Sequence, residues 1–290
     1  MGRRIGLALG EAVLYQEGHN TITTGIAALK YYDPRAVVYN WHPTTMPWAP
    51  EIARRFPATK HIALMHDITP ATANAGSEHF QYRIVCYPEF PVDNQHLFGS
   101  VRHVPRYEKP RPSNERMTIG SFGFGVGGKL FDLIVGAVGD EFPGALLRLQ
   151  IPYAHYGDDA GAIAKQQASR CVAMAQAKGL QVAVTHDFLE EEKLIDWLAG
   201  NDLNVFFYDG YPGRGLASTI DYAIAAQRPI AVNHHEDALR HVLSQMPSWP
   251  STRLRALHEQ TGPIVERLYQ EWSPARLVQE YKDMFRTIGV

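Results

Sequence analysis

Short apolar runs alternate with segments of helical spacing along most of the chain, and this alternation constrains the fold more than any other feature. Strands that are covered on both faces read as unbroken apolar runs, and strands separated by helices pair in parallel, because a parallel pair needs a crossover between its members. In the first third, strands are expected near Ile5–Leu9, Ala36–Asn40, His61–Met65 and Tyr82–Cys86, with helices around Thr21–Tyr31 and Ala49–Phe56. The stretch RYEKPRPSNER, Arg106–Arg116, carries two prolines and six charges in eleven residues, which excludes a core element and marks a linker. Beyond it the pattern restarts, with strands at Met117–Phe122, Ala145–Ile151, Gln181–Val184, Leu203–Phe207 and Ile230–Val232. Helices fall at Lys129–Val138, Gly161–Lys178, Glu190–Ala199 and Leu216–Ala226, and the remainder is helical to the end. A chain of 290 residues restarting in this way is expected to form two α/β domains, 1–108 and 109–272, followed by a terminal helix over 273–290.

Charge and cysteine content exclude several classes. Lys and Arg number 28 against 30 Asp and Glu, so no global field draws the molecule to nucleic acid or to an anionic membrane. Cys86 and Cys171 show no CxxC spacing, which gives neither a zinc cage nor a disulfide framework; two reduced, buried thiols and a reducing compartment are expected. At the start, MGRRIGLALGEAVL is interrupted by Glu11 and has no small-residue cleavage site, so it reads as a first strand. No run approaches the roughly 18 apolar residues that span a bilayer, and a soluble, cytoplasmic protein is the expectation.

Two glycine turns carry the chemistry. GSFGFGVGGKLFD, Gly120–Asp132, joins a strand to a helix. Gly123, Gly125 and Gly128 fit the GxGxxG dinucleotide pattern, but the next strand ends on Gln150 where a ribose-binding carboxylate belongs. Gly123–Lys129 also fits GxxxxGK, but Leu130 replaces the metal-binding hydroxyl of a P-loop. Two readings remain besides these: an anion site made by helix-start amides and Lys129, or a plain tight turn with a solvated lysine. The second turn lies in YDGYPGRGLASTIDYAIAAQRPIAV, Tyr208–Val232, where Gly213 and Gly215 permit close backbone approach. Arg214 there adds a planar fork suited to phosphate oxygens, and Ser218 can cap or donate. If the two preceding strands are neighbours, both cations and both helix starts meet at one sheet edge, an arrangement that suits a diphosphate.

From Met117 onward the chain resembles the donor-binding domain of GT-B fold glycosyltransferases. The resemblance is carried by TIGSFGFGVGGKLFDLIVGAV, FPGALLRLQI, HDFLEEEKLIDWLAGNDLNVFFY, RGLASTIDYAIAAQRPIAV and WSPARLVQEYKDMF, in family order over about 60 per cent of the chain. It implies two Rossmann-like domains facing a cleft, with the terminal helix crossing back to the first. It also implies that Lys129 contacts the nucleotide diphosphate, that the amides of Gly215, Leu216, Ala217 and Ser218 hold its distal phosphate, and that His186, Asp187 and Phe188 lie near the base; Phe124 and Gly125 of the first turn and Arg214 of the second are further candidates for the donor site. The family's two glutamates, separated by seven residues, fall here on Arg214 and Tyr222; Asp209 and Asp221 are carboxylates that could substitute.

The first third resembles the acceptor domain through VVYNWHPTTMPW and HIALMHDITP. The resemblance matches His66 with Asp67 to a histidine that contacts the donor sugar; a neutral imidazole can also accept a proton, so His66 is a candidate base for an acceptor hydroxyl, and His42, also just past a strand, is the second candidate. Glu17, His19 and Asn20 follow the first expected strand and are candidates for the same cleft. The implied activity is a metal-independent glycosyltransferase with no cofactor beyond its substrate, a nucleotide-diphospho-sugar of UDP or GDP type. The acceptor is open among glycans, lipid-linked sugars, small molecules and modified nucleic acid. Two alternatives stand beside it: a non-catalytic nucleotide-sugar or glycan-binding protein, and a sugar-nucleotide epimerase.

Overall fold

The computed structural model of the chain describes residues 22–42, 46–66, 69, 73, 78–90, 94–154, 157–209, 215–235 and 238–290. The expected first strand at Ile5–Leu9, with Glu17, His19 and Asn20, lies outside the described residues. Contacts divide the chain into two units, Met1–His103 with Trp272–Val290, and Val104–Glu271.

Among the described residues, the first unit carries a four-stranded parallel sheet in the order β1 (Ala36–Trp41), β2 (Lys60–Met65), β3 (Tyr82–Val85) and β4 (Leu97–Gly99). Both central strands are almost wholly buried, which explains why KHIALM and YRIV run apolar without alternating. At three residues, β4 is too short to leave a periodic signal and was not expected. The helices Ile22–Tyr32 and Ala49–Arg55 pack closely at Gly25, where a Cβ would lie 2.3 Å from Ile52 Cδ1. The C-terminal helix, Pro274–Thr287, starts on Ser273, whose side chain accepts from the Arg276 amide, and buries Leu277, Tyr281 and Met284. Glu280 of this helix accepts the Val101 amide at 2.6 Å, and Arg35 donates to Gly289 O at 3.0 Å.

The polar stretch at 106–116 has no regular structure, yet it is not a loose connector. Arg106 lies over the Tyr269 ring at 4.4 Å and donates to Tyr269 O, while the Tyr107 amide donates to Tyr269 Oη. Lys109 and the Tyr107 hydroxyl both bond Asp196, Arg111 donates to Gln227 O, and Asn114 donates to Gly200 O. The stretch marked as a linker by its charges and prolines is strapped by those charges to the rest of the second unit.

The second unit is built on a five-stranded sheet, parallel throughout: β5 (Thr118–Phe122), β6 (Leu146–Gln150), β7 (Gln181–Thr185), β8 (Leu203–Phe206) and β9 (Ile230–Val232), in the spatial order β7-β6-β5-β8-β9. The chain steps outward from β5 through β6 and β7, then returns to the other side of β5 for β8 and β9. Connections from β5 and β8 therefore leave in opposite directions, and the boundary between them is the topological switch point at which a parallel sheet opens a crevice. Ile119, Leu147, Leu149 and Val205 form the sheet's part of the core, covered by Phe131, Ile134, Val135 and Val138 of the helix Phe131–Glu141. A polar network closes the opposite end: Arg148 donates to Asn201 Oδ1 at 2.8 Å, and Asn201 donates to Asn204 at 2.8 Å. Desolvation lowers the Arg148 pKa, and its guanidinium lies 4.7 Å over the Trp197 ring. Gly120 makes room for this network, since a Cβ there would fall 2.0 Å from Asn201 Nδ2.

Candidate functional site

The carboxyl ends of β5, β6, β7 and β8 surround a cavity of about 1040 Å³, at the upper end of the usual size range for small-ligand sites. Its walls come from Phe122, Gly123, Phe124, Val126, Gly127 and Lys129 at and after the end of β5, Gln150 and Pro152 at and after the end of β6, Asp187–Glu191 after β7, and Tyr208 with Gly215–Thr219 and Tyr222 after β8.

Lys129 stands at the switch point. Its ammonium donates to Phe122 O at 3.2 Å and to the Tyr208 hydroxyl at 3.1 Å, and lies 5.0 Å from the Tyr208 ring centre. Gly123 lets it pass: φ there is +146°, and a Cβ would lie 1.9 Å from Lys129 Nζ. The segments leaving β5 and β8 are stitched together below the ammonium. Lys129 and Tyr208 form an antiparallel bridge, the Leu130 amide donates to Phe207 O at 3.0 Å, and the Asp209 amide donates to Gly128 O at 3.1 Å. Asn233, just past β9, accepts the Tyr208 amide at 2.8 Å and donates to Tyr208 O at 2.7 Å. Three connections thus hold the lysine against the sheet.

Several expectations about the amides change in detail. The first helix begins at Phe131, and the Leu130 amide is committed to Phe207 O, so the glycine loop and Lys129 line the cavity while the first helical turn does not. The second helix begins at Thr219 instead of Leu216, because the preceding residues run as irregular backbone along the cavity. Ala217 is on the wall, but its amide donates to Ala238 O at 2.8 Å; Gly215, Leu216 and Ser218 line the cavity with it. Arg214 lies outside the described residues.

The remaining expected residues divide. Phe124 and Phe188 are both on the wall, Phe188 with 58% of its surface exposed, and Asp187 lies beside them. Gly125 is not: a Cβ there would lie 2.8 Å from Ala164 Cα, so this glycine serves close packing against the helix Ala162–Ala177. His186 also stands off the wall, with Nδ1 donating to Ile151 O at 2.7 Å and its ring 5.3 Å from that of Tyr153. Asp209 is exposed and contributes its amide to the stitch beneath Lys129. In the first unit, His42 and His66 each follow the last residues of a paired register, Trp41 with Met65, so they stand at adjacent carboxyl ends of β1 and β2. His66 Nε2 donates to Asn40 Oδ1 at 2.5 Å; Asp67 lies outside the described residues.

Sequence reasoning passed over Tyr208, Thr219 and Asn233 as site residues. Tyr208 and Asn233 each come within two residues of a strand's carboxyl end, the position from which parallel sheets present functional groups, and that placement was the available signal. Tyr222 lines the cavity, with its ring 6.3 Å from that of Phe122.

No family model matches the sequence, and no curated protein matches it. Solved structures do. A TarM variant of S. aureus in complex with Fondaparinux, alpha-GlcNAc-glycerol and UDP superposes with a TM-score of 0.64 at 12% identity, over 92% of this chain and 59% of that one. HepE of Anabaena in complex with UDP-glucose gives 0.64 at 12% identity, over 92% and 81%. A glycosyltransferase from Rickettsia africae gives 0.64 at 9% identity, over 95% and 84%. The chain spans less than two thirds of TarM's length. Together with the two parallel sheets, these likenesses define the GT-B fold of Rossmann-like units.

Proposed function

We propose that the chain is a glycosyltransferase that takes a nucleotide-diphospho-sugar, of UDP or GDP type, into the switch-point cavity and passes the sugar to an acceptor hydroxyl. The observation that carries this reading is Lys129: an ammonium held by Phe122 O and Tyr208 Oη at the crevice where parallel sheets bind ligands. The GT-B fold supports it, as do the UDP and UDP-glucose complexes of the similar TarM and HepE structures.

In this mechanism Phe124 and Phe188 offer apolar walls to the base, while Lys129 and the amides of Gly215, Leu216 and Ser218 face the diphosphate, with Arg214 from the same turn. When the bond from the sugar to the diphosphate breaks, negative charge grows on the leaving group, and fixed donors that meet this charge lower the barrier. These groups take the role that a divalent cation fills elsewhere. His66 is the candidate base for the acceptor hydroxyl, with His42 the second candidate, since a neutral imidazole can take its proton. The acceptor belongs to the class of glycans, lipid-linked sugars, small molecules or modified nucleic acid.

A thermal-shift panel of UDP, GDP, TDP, ADP and CDP, followed by a sugar-release and transfer assay with and without EDTA, tests this. One nucleotide at a hundred times its Kd should stabilise the protein by about 2.7 kcal/mol, roughly 5–10 °C. Its sugar should then be released or transferred at a rate unchanged by EDTA. Binding without release or transfer would identify a donor-binding protein, and a rearranged donor with no acceptor would identify an epimerase.

A further inference from the structure

Resting on the donor-site reading, we infer that the Thr219 hydroxyl is a further ligand donor, aimed at the diphosphate by a relay that runs from Lys129 through Tyr208. Lys129 Nζ can only donate, and it donates to Tyr208 Oη at 3.1 Å. Tyr208 Oη lies 2.6 Å from Thr219 Oγ1. Either oxygen of this pair can be the donor; in the inferred relay the ammonium donates into the phenol oxygen, the phenol donates to Thr219 Oγ1, and each bond polarises the next. In that relay Thr219 keeps its hydroxyl hydrogen for a further acceptor, and Thr219 lines the cavity together with Lys129 and Tyr208. The group that completes the relay must accept a hydrogen bond and favour a nearby cation, which describes an oxygen of the diphosphate. Tyr208 is a positioning residue here: it is 3% exposed, its backbone is held on both sides by Asn233, and its hydroxyl sets both the lysine and the threonine.

Calorimetric titration of UDP and GDP, each against its own nucleoside, tests the relay in Thr219→Val, Thr219→Ser, Tyr208→Phe and the Tyr208→Phe/Thr219→Val pair. Removing a hydrogen bond to a charged group should weaken the bound diphosphate about tenfold or more in Thr219→Val. Nucleoside affinity and melting temperature should stay within twofold and 2 °C, by roughly the scatter of surface substitutions. Thr219→Ser should restore diphosphate binding, and Tyr208→Phe should weaken it comparably. The double variant should fall short of the product of the single effects, because both break one chain of bonds. Equal diphosphate affinity of Thr219→Val and the unaltered protein would overturn this inference and leave the donor site standing, as would full additivity in the pair. Failure of the unaltered protein to bind any nucleoside diphosphate would overturn both.

Discussion

Lys129 Nζ and Tyr208 Oη lie 3.1 Å apart across the boundary between β5 and β8, so the two segments that diverge from the switch point are joined by their side chains as well as by a backbone bridge. A cation held in this way meets developing charge without first having to reorganise, and the site's principal sensitivities follow from it.

Lys129→Ala removes the ammonium and leaves the stitch of backbone bonds in place. Turnover should fall by about 100-fold or more, corresponding to roughly 3 kcal/mol of barrier. Steady-state kinetics beside a thermal melt would check this; wild-type turnover in the variant would remove the lysine from the mechanism.

Gly123→Ala should inactivate through the same lysine. The new methyl would stand 1.9 Å from Nζ, at a φ of +146°, so the ammonium must leave its position and the backbone is strained as well. Gly179→Ala is the control, because that residue does not line the cavity, φ is +64° there and nothing lies within 4 Å of the added carbon. It should cost about 1 kcal/mol in stability and retain activity. Parallel activity and melting measurements separate the two.

Asn233→Ala leaves the buried Tyr208 N–H and C=O without their partner. Each unsatisfied backbone group costs about 1–3 kcal/mol, so a loss of stability by denaturant titration should accompany weakened nucleotide binding. Asn233→Asp can still accept from the amide but cannot donate to the carbonyl, and should fall between the two.

The first unit should lose stability in mild acid through His61. This buried imidazole donates from Nε2 to Phe56 O at 2.8 Å and accepts from the Tyr39 hydroxyl at Nδ1, 2.9 Å away. Burial lowers its pKa in the folded state. Its contribution is therefore complete above the unfolded value of about 6.5 and is lost as the pH falls through the lower folded value. Urea midpoints from pH 8 to pH 5 should drop more steeply for the native protein than for His61→Gln, whose amide can make both bonds without titrating. Equal slopes would clear His61 of the effect.

Much of the fold was legible in order and type. KHIALM, YRIV and LNVF are mostly apolar without regular alternation because both faces of their strands are covered, and even His61, Arg83 and Asn204 within them are buried, so the parallel sheets could be read from the residues themselves. The start of the helix after β8 was misplaced by three residues, since the propensity of Leu216–Ser218 says nothing of a carbonyl at Ala238 that captures the Ala217 amide. At 106–116, charge and proline marked a connector, yet the partners that strap it, Tyr269, Asp196 and Gln227, lie 85 or more residues away along the chain and left no local trace.

By itself, then, the sequence determined that parallel strands end on glycine turns, one carrying Lys129, because glycine spacing and apolar runs are local properties. Tertiary structure alone decided that β5 and β8 are neighbours, that Gly125 packs while Gly123 clears the lysine, and that Tyr208, Thr219 and Asn233 surround it. Strand order is set by how helices pack over the whole sheet, and only that order brings residues 79 positions apart within a hydrogen bond of each other.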